Sequence, residues 1–317
     1  MITVIAGGVG AAKFLRGLID VVEAASVTVI GNTGDDETFL GLHVSPDLDT
    51  VVYTLSDAVD PEQGWGLAGD TYACLEQAAR LGEETWFRLG DADLATHVQR
   101  TLLLREGRSL SEATAQIAAA FGVRCRILPM SDDPVRTIVT TDAGELSFQE
   151  YFVRRRQQDE VRALRFEGVE RARPAPGVLE AIAEAEAVVI APSNPLVSIG
   201  PVLAVPGVRE ALVQTNAPVL AVSPIVGGRA LKGPADRMMT SLGHESSAPG
   251  VARLYADFLD MLVLDEADAS LAPEVESLGV RAVMTDTIMR DAATRRALAE
   301  AVVRAGRRGA GEGAGRT

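Results

Sequence analysis

Residues 1–22, MITVIAGGVGAAKFLRGLIDVV, and residues 26–34, SVTVIGNTG, decide the fold of this chain. A short β-rich run is followed by a glycine turn, a helix with one apolar face and a second β-rich run. Two strands joined by a helix in this way are typical of a βαβ unit, whose strands run parallel. The opening of the chain therefore predicts an α/β fold built on a parallel sheet.

The alternation of strands and helices returns in the second half of the chain. Helical or glycine- and proline-rich segments separate four further β-rich runs, which are AVVIA at 187–191, PVLAVS at 218–223, DMLVLD at 260–265 and VRAVMTD at 280–286. The two ends together predict a Rossmann-like, doubly wound, mainly parallel sheet. We assign residues 1–55 and 174–304 to this nucleotide-binding core.

The middle of the chain has a different pattern. It is mainly helical as far as Phe121, and Asp142-Ala143-Gly144 then has the composition of a tight turn between two antiparallel strands. Residues 56–173 are therefore predicted to form a mostly helical insertion that carries a β-hairpin. The end of the chain, 305–317, contains no apolar residue larger than alanine and is predicted to be disordered.

The composition is that of an ordinary globular protein, with 47 % hydrophobic and 23 % charged residues among 317. A formal net charge of −14 argues against a nucleic-acid-binding protein, because a phosphate backbone attracts a dense Lys and Arg surface. The sequence shows no signal-peptide pattern after Met1 and no apolar run of membrane-spanning length. We expect a cytoplasmic protein with neither membrane nor nucleic-acid partners.

The first candidate binding motif is the glycine turn between the first strand and the first helix. Gly7, Gly8 and Gly10 leave bare backbone there, and Lys13 follows, so a phosphate could approach the helix N–H groups. The full dinucleotide fingerprint is incomplete, because the third glycine is absent and no acidic residue ends the second strand. The turn is not a Walker loop either, since Phe14 follows Lys13. The alternative interpretation is a close-packed turn without a ligand.

A second candidate cradle is APSNPLVSIGP at 191–201. Ser193, Asn194, Ser198 and Gly200 offer hydroxyl, amide and backbone donors beyond the end of a predicted strand, where ligands bind in open α/β sheets. The alternative is a capped helix start held by proline.

Acidic residues form the next candidate group. Four close pairs stand out, which are Asp35 with Asp36, Asp47 with Asp49, Asp91 with Asp93, and Asp132 with Asp133. Aspartates in polar turns are usually caps and turn formers. The nucleotide-like loop favours a second interpretation, because Mg²⁺ is held by one or two carboxylates together with substrate phosphates. We expect Mg²⁺ ligands among Asp35, Asp36, Asp47 and Asp49.

Histidine and arginine supply the remaining candidates. The three histidines lack His/Cys spacing, which makes a zinc site a poor interpretation, and His97 is expected either on a helix surface or in contact with substrate. Arg88 and Arg136 combine a fixed positive charge with neighbouring acids. Each could clamp a phosphate or carboxylate, or form only a surface ion pair.

Seven segments in their order along the chain resemble the phospholactate and phosphoenolpyruvate transferases of deazaflavin (coenzyme F-420) biosynthesis. They are AGGVGAAKFL, SPDLDTVVYTL, FRLGDADLATHV, LPMSDDPVRT, FQEYFVRR, APSNPLVSIGP and SPIVGG. The resemblance implies a Rossmann-like core, a homodimer and Mg²⁺ dependence. It also implies transfer of a three-carbon acid from a guanosine-diphosphate-linked donor to the ribityl hydroxyl of 7,8-didemethyl-8-hydroxy-5-deazariboflavin, with release of GMP.

The resemblance also assigns roles to residues. Asp49 and Arg88 match the family's deazaflavin-contacting residues and are the catalytic candidates, and Asp49 is expected to orient or deprotonate the hydroxyl or to bind the metal. The residues expected to face the guanosine diphosphate are Gly8, Gly10, Ser193, Asn194 and Gly200. The first loop reads GGVGAAKFL, where archaeal members tend to read GGTGTPKLL, and this form is similar to the actinobacterial branch. Phosphoenolpyruvate is therefore the preferred acid and 2-phospholactate the alternative.

Two other functions compete with this interpretation. A related family of non-catalytic nucleotide-sugar-binding regulators shares the GGxG loop, but FRLGDADLATHV and LPMSDDPVRT favour the transferase. A nicotinamide oxidoreductase would use a similar βαβ turn, and the incomplete fingerprint disfavours it.

Overall fold

The computed structural model describes residues 1–312. The strands are β1 (Ile2–Ala6), β2 (Val27–Gly31), β3 (Glu37–Phe39), β4 (Leu42–Val44), β5 (Arg126–Pro129), β6 (Arg136–Thr141), β7 (Gly144–Ser147), β8 (Val161–Glu167), β9 (Ala187–Ile190), β10 (Val219–Val222), β11 (Ile225–Val226), β12 (Arg229–Ala230), β13 (Met261–Asp265) and β14 (Arg281–Thr285).

The α-helices are α1 (Gly8–Leu18), α2 (Pro46–Leu55), α3 (Ala73–Arg80), α4 (Asp91–Arg105), α5 (Leu110–Ala120), α6 (Val178–Ala183), α7 (Gly200–Ala204), α8 (Val208–Gln214), α9 (Ala235–Ser241), α10 (Ala248–Leu254), α11 (Ala272–Ser277) and α12 (Ala292–Glu312). Short 3-10 helices lie at Ala24–Ser26, Val169–Arg171 and Glu266–Leu271, and π-helical turns lie at Glu150–Arg154 and Pro195–Ile199.

The centre of the molecule is a parallel sheet in the order β14-β13-β10-β9-β1-β2-β5. Strand β1 lies inside the sheet, with Ile5 opposite Ile30 of β2 on one side and Ile190 of β9 on the other. The strands of this sheet are rich in Val and Ile because helices cover both faces of the sheet. The order reverses direction at β1, so the predicted doubly wound α/β fold is confirmed.

Two hydrophobic cores flank the sheet. Alternate residues of one strand face opposite cores, so Val4 packs with Phe14 of α1 and Leu298 of α12, whereas Ile5 lies in the core that contains Ile182 of α6. The sheet is therefore packed between two layers of helices, and the loops at the ends of its strands remain available to form a functional site.

The predicted insertion, 56–173, is divided by a strand of the sheet. Strand β5 lies inside that range but pairs with β2, where Val29 is opposite Ile127, and so extends the central sheet. The predicted hairpin is confirmed in β6 and β7, which pair antiparallel with Thr141 opposite Gly144, and β8 adds a third strand. Helices α3, α4 and α5 precede β5, and the antiparallel sheet follows it.

The end of the chain also differs from its prediction. Helix α12 continues to Glu312, so residues 305–312 of the predicted disordered tail are helical, whereas 313–317 lie outside the described residues. Within residues 1–312, no single helix is long and apolar enough to cross a membrane. The segments Pro195–Ala204 and Val208–Gln214 meet the length and composition requirement only as a pair, across a bend of 87°.

Candidate active site

Three loops meet at the carboxyl ends of β1, β2 and β9. Gly7 follows β1, Asn32 follows β2, and Ser193 follows β9. The Gly7 N–H donates to Ser193 Oγ at 3.4 Å, and Asn32 Nδ2 donates to the Val197 carbonyl oxygen at 3.4 Å. This is the point where the strand order reverses, and ligands bind at such points in open α/β sheets.

The glycine turn is tightly packed on one side. A Cβ at Gly10 would collide with the carbonyl oxygen of Pro192, and one at Gly7 would lie 2.7 Å from Ser198 Cβ and 2.8 Å from Asp47 Oδ2. Packing against the neighbouring loop and Asp47 is therefore enough to explain the absence of side chains at Gly7 and Gly10. That Gly7 and Gly10 also face a ligand stays a prediction.

Positive charge lies beside the same turn. Lys232 Nζ donates to the Gln63 carbonyl oxygen at 2.8 Å, and burial, helped by the charge of Lys13, lowers the pKa of Lys232. Neither lysine forms an ion pair with a carboxylate among the described residues. In a chain of net charge −14, two neighbouring lysines without a carboxylate partner favour an anion at this edge of the site.

Asp35 and Asp47, here called the carboxylate pair, approach each other through Asn32. Asn32 Nδ2 donates to Asp35 Oδ1 at 3.1 Å and to Asp47 Oδ2 at 2.9 Å, and Gln149 Nε2 donates to Asp35 Oδ2 at 3.2 Å. Burial raises the pKa of Asp47 to about 6. Burial, with the nearby charge of Asp47, raises the pKa of Asp35 well above its ordinary value. Two buried like charges favour a cation between them.

Asp36 turns away from the carboxylate pair. Its Oδ2 accepts a hydrogen bond from Ser45 Oγ at 2.7 Å and lies 3.0 Å from His43 Nε2. Burial raises the pKa of Asp36, and His43 and Ser45 act in the opposite direction. Asp36 therefore bonds to His43 of the β3–β4 hairpin and to Ser45, which follows the hairpin.

Asp49 also faces a different partner. Both of its oxygens meet the guanidinium of Arg100, with Nη1 donating to Oδ2 at 3.1 Å and Nη2 donating to Oδ1. His97 Nδ1 lies 3.7 Å from Asp49 Oδ2, and only 1 % of His97 is exposed. The prediction of His97 on a helix surface is therefore wrong.

The four aspartates predicted to bind Mg²⁺ do not form one cluster. Only Asp35 and Asp47 share a partner, while Asp36 and Asp49 pair with His43 and Arg100 respectively. Within residues 1–312 no group of three or more His, Cys, Asp or Glu side chains has metal-binding geometry. A Mg²⁺ ion at the carboxylate pair would therefore need further oxygens from substrate phosphates.

Phe39, three residues after Asp36 in the chain, forms an aromatic cluster with Trp86 and Phe87. Phe39 stacks on Phe87 with ring centroids 4.0 Å apart, and Trp86 meets Phe39 edge-on at 5.0 Å. All three rings are half-buried, and none belongs to a hydrophobic core formed by the described residues. The cluster joins the β3–β4 hairpin to the loop that enters α4.

The family model described as 2-phospho-L-lactate transferase CofD matches residues 2–303. The chain belongs to this family. It is a transferase of the phosphoenolpyruvate and 2-phospho-L-lactate type in coenzyme F-420 biosynthesis.

Individual relatives of this CofD-family chain cover nearly its whole length. It is 47 % identical over 308 residues to a phosphoenolpyruvate transferase of Streptomyces griseus, covering 94 % of this chain and 97 % of the relative. It is 42 % identical over 302 residues to a 2-phospho-L-lactate transferase of Methanosarcina mazei, covering 95 % and 99 %. A solved Bacillus halodurans structure has a TM-score of 0.64, 18 % identity and coverage of 95 % and 98 %, and shows the fold alone.

Several residues predicted to bind ligand in this CofD-family chain also have partners within the protein. Asn194 Oδ1 accepts from the Leu196 N–H at 3.0 Å, which caps the π-helical turn, and a Cβ at Gly200 would lie 3.2 Å from the Phe166 ring. The capped-helix alternative explains Asn194, packing against Phe166 explains the glycine at position 200, and ligand binding by either residue stays a prediction. Arg88 is exposed, with its guanidinium 4.1 Å from the Tyr72 ring centroid.

The remaining acidic pairs act mainly as turn formers and caps. Asp91 accepts hydrogen bonds from the Ala73 and Cys74 N–H groups at the start of α3. Asp132 accepts from the Ser111 N–H at 2.7 Å, and Asp133 accepts from the Arg173 N–H at 2.9 Å. Asp93 differs, because it lies in the buried contact between α4 and α2.

Three further residues at this site, Asn32, Tyr53 and Arg100, are not among its predicted residues. Asn32 gave no signal, since a single asparagine after a strand is an ordinary turn residue. Arg100 was detectable, because Asp93, His97 and Arg100 are spaced i, i+4, i+7 and share one helix face.

Proposed function

We propose that this CofD-family transferase moves a phosphoenolpyruvyl group from a guanosine-diphosphate-activated donor to the ribityl hydroxyl of 7,8-didemethyl-8-hydroxy-5-deazariboflavin and releases GMP. The observation that carries the proposal is the carboxylate pair at the switch point of the sheet, joined through Asn32. The cation that accompanies a diphosphate would supply the positive charge that Asp35 and Asp47 lack. The identity of 47 % to a phosphoenolpyruvate transferase supports that donor over 2-phospholactate, which remains the alternative.

The carboxylate pair suits Mg²⁺. Its donors are oxygens, both groups are buried, and burial raises both pKa values because the negative charge is poorly compensated. We propose that Asp35 and Asp47 hold the ion together with donor phosphates. Bound Mg²⁺ would neutralise charge on the diphosphate.

The diphosphate would lie between the carboxylate pair and the glycine turn. Lys13 and Lys232 stand at that edge with no carboxylate partner within residues 1–312, so they are proposed to bind phosphate oxygens. Gly8, with φ +75°, begins α1, and the N-terminus of this helix is proposed to face the same diphosphate.

Asp49 is proposed to receive the acceptor hydroxyl. That oxygen attacks the phosphorus bearing the three-carbon acid, the bond from this phosphorus to the bridging oxygen breaks, and GMP leaves with the bridging oxygen. The hydroxyl proton passes to Asp49, whose oxygens each retain a lone pair beyond the bonds from Arg100. Positioning and charge neutralisation supply most of the catalysis.

The planar ring of the acceptor is proposed to lie against the aromatic cluster. Phe39 of this cluster follows Asp36 in the chain, and Trp86 and Phe87 precede Asp93. All three rings are half-exposed and lie outside the hydrophobic cores of the described residues. Stacking of a planar ring on aromatic side chains contributes about 1–3 kcal/mol per ring in nucleic-acid complexes. Arg88, above Tyr72, would stand beside the same ring.

The test of this function is a mass-spectrometric assay with Mg²⁺, the deazaflavin and both guanosine-diphosphate-linked donors in competition. We expect GMP and the dehydro product. The lactyl product would reassign the donor to 2-phospholactate. No product from either donor would refute the transfer, and tight binding of a sugar nucleotide alone would then favour the regulator.

We also propose that the protein is a cytoplasmic homodimer. Apolar side chains near α3 and on α4 remain exposed, including Leu81 (76 %), Val98 (42 %) and Leu102 (48 %). A second copy of the chain would cover them. Light scattering should give twice the chain mass of 33.4 kDa, and Leu102→Glu should lower it to the monomer value.

A further inference from the structure

Helix α4 faces the interior of the protein with charged and polar side chains. Asp93, His97 and Arg100, here called the α4 polar face, are 7 %, 1 % and 1 % exposed. The same helix exposes Val98 and Leu102 to solvent. A surface helix normally turns an apolar stripe to the core and its charges to water. The arrangement in α4 is reversed.

The α4 polar face forms a series of close contacts that leads to Asp49. Tyr53 Oη donates to Asp93 Oδ1 at 2.6 Å, and burial raises the pKa of Tyr53, so the hydroxyl keeps its proton. Asp93 Oδ1 lies 3.2 Å from His97 Nε2, and His97 Nδ1 lies 3.3 Å from Arg100 Nη1. Arg100 then holds both oxygens of Asp49. Every member packs between α2 and α4.

Stability alone does not account for this set of charges. Buried ion pairs are often replaced by apolar residues without loss of stability, because desolvation offsets their attraction. The set is also incompletely bonded, since Arg100 Nε and His97 Nε2 have no partner in hydrogen-bond geometry among the described residues. An apolar face at these positions would pack α4 on α2 at lower cost.

The Asp49 side chain points toward the α4 polar face and the Asp47 side chain toward Asn32. Asp47 and Asp49 lie two residues apart in α2, so their side chains leave the helix about 200° apart. Asp47 bonds to Asn32, while Asp49 is held on the side of α4. A bidentate guanidinium fixes both the position and the plane of a carboxylate, which a single ammonium does not.

We propose that Arg100 and His97 are positioning residues that orient the Asp49 carboxylate toward the acceptor hydroxyl. This proposal rests on the proposed function, in which Asp49 receives that hydroxyl. The two guanidinium nitrogens of Arg100 that donate to Asp49 set the plane of its carboxylate. His97, between Asp93 and Asp49, prevents the guanidinium and the carboxylate from shifting along α4.

The test compares Arg100→Met, Arg100→Lys and His97→Gln with the wild type in the transfer assay, at saturating donor and varied acceptor. We expect Arg100→Met to lower kcat at least 100-fold while the acceptor KM changes less than threefold. Arg100→Lys should recover about a tenth of wild-type kcat. Arg209→Met, which removes a surface ion pair with Asp257, is the matched control and should keep wild-type kcat.

A second comparison separates positioning from a structural role. Rates are normalised to folded protein from circular dichroism, and Asp49→Asn is compared with the Asp49→Asn, Arg100→Met double variant. If Arg100 acts through Asp49, the double variant is no slower than Asp49→Asn. Wild-type kcat in Arg100→Met, or full additivity in the double variant, would overturn the proposal. If Arg100→Met does not fold, Arg100→Lys and His97→Gln decide. An inactive wild type would overturn the proposed function itself.

Discussion

Replacing Asp47 with asparagine is expected to stabilise the protein at neutral pH and to abolish its activity. Burial raises the pKa of Asp47 from 3.8 to about 6, so the fold favours the protonated carboxyl. The stabilisation of the folded protein by the protonated Asp47 carboxyl is fully present below about pH 3.8 and is lost as the pH rises through about 6. At pH 7.5 the ionised carboxylate therefore destabilises the wild type, whereas asparagine does not ionise.

The magnitude follows from the difference between the two pKa values. The two pKa values differ by about 2, and a pKa difference of one corresponds to about 1.4 kcal/mol. The ionised Asp47 carboxylate therefore lowers the free energy of unfolding by about 3 kcal/mol at pH 7.5. At pH 5 the wild-type carboxyl is mostly protonated in the fold, and the gain of the variant falls to about half of that value. The Asn32 and Gly8 bonds to Asp47 are retained in part, because the asparagine carbonyl accepts one of them.

The assay is urea unfolding of wild type and Asp47→Asn at both pH values without Mg²⁺, followed by circular dichroism. Asp142→Asn, in the exposed turn between β6 and β7, is the control and should show no such pH-dependent gain. Equal stability of wild type and Asp47→Asn at pH 7.5 would refute the reasoning. A gain that is the same at both pH values would also refute it, because it could not come from ionisation.

Three further predictions concern the metal, the glycine turn and the acceptor. Mg²⁺ should raise the melting temperature of the wild type but not of an Asp35→Asn, Asp47→Asn double variant; an equal rise in both would exclude the carboxylate pair as the site. Gly10→Ala should lower the free energy of unfolding by about 1–3 kcal/mol, because its Cβ meets the Pro192 carbonyl oxygen, and unchanged urea unfolding would contradict that packing. Trp86→Leu should raise the acceptor KM about tenfold with kcat unchanged, as expected for lost stacking of about 1–3 kcal/mol. Phe152→Leu, in the separate Phe148–Phe152 stack, should leave that KM unchanged, and equal effects of the two variants would argue against an acceptor site at Trp86.

Local sequence patterns were sufficient for most of the fold. The βαβ opening, the later strands of the sheet and the β6–β7 hairpin were predicted because periodicity and turn composition act over a few residues. Strand β5 was misplaced in the insertion, because its pairing with β2 depends on residues about a hundred positions away. Terminal helix α12 extends further than its composition indicated.

The site shows the same division between local and distant determinants. Sequence alone identified the glycine turn, the acidic pairs and, through resemblance, the family to which the chain belongs. It could not separate Asp47 from Asp49, because both are acids in the first turn of one helix. Only the tertiary structure places Asp47 beside Asn32 and Asp49 against Arg100, which is 51 residues away in the chain. Burial and partners determine the charge, direction and pKa of a carboxylate, and both are set by packing between distant segments.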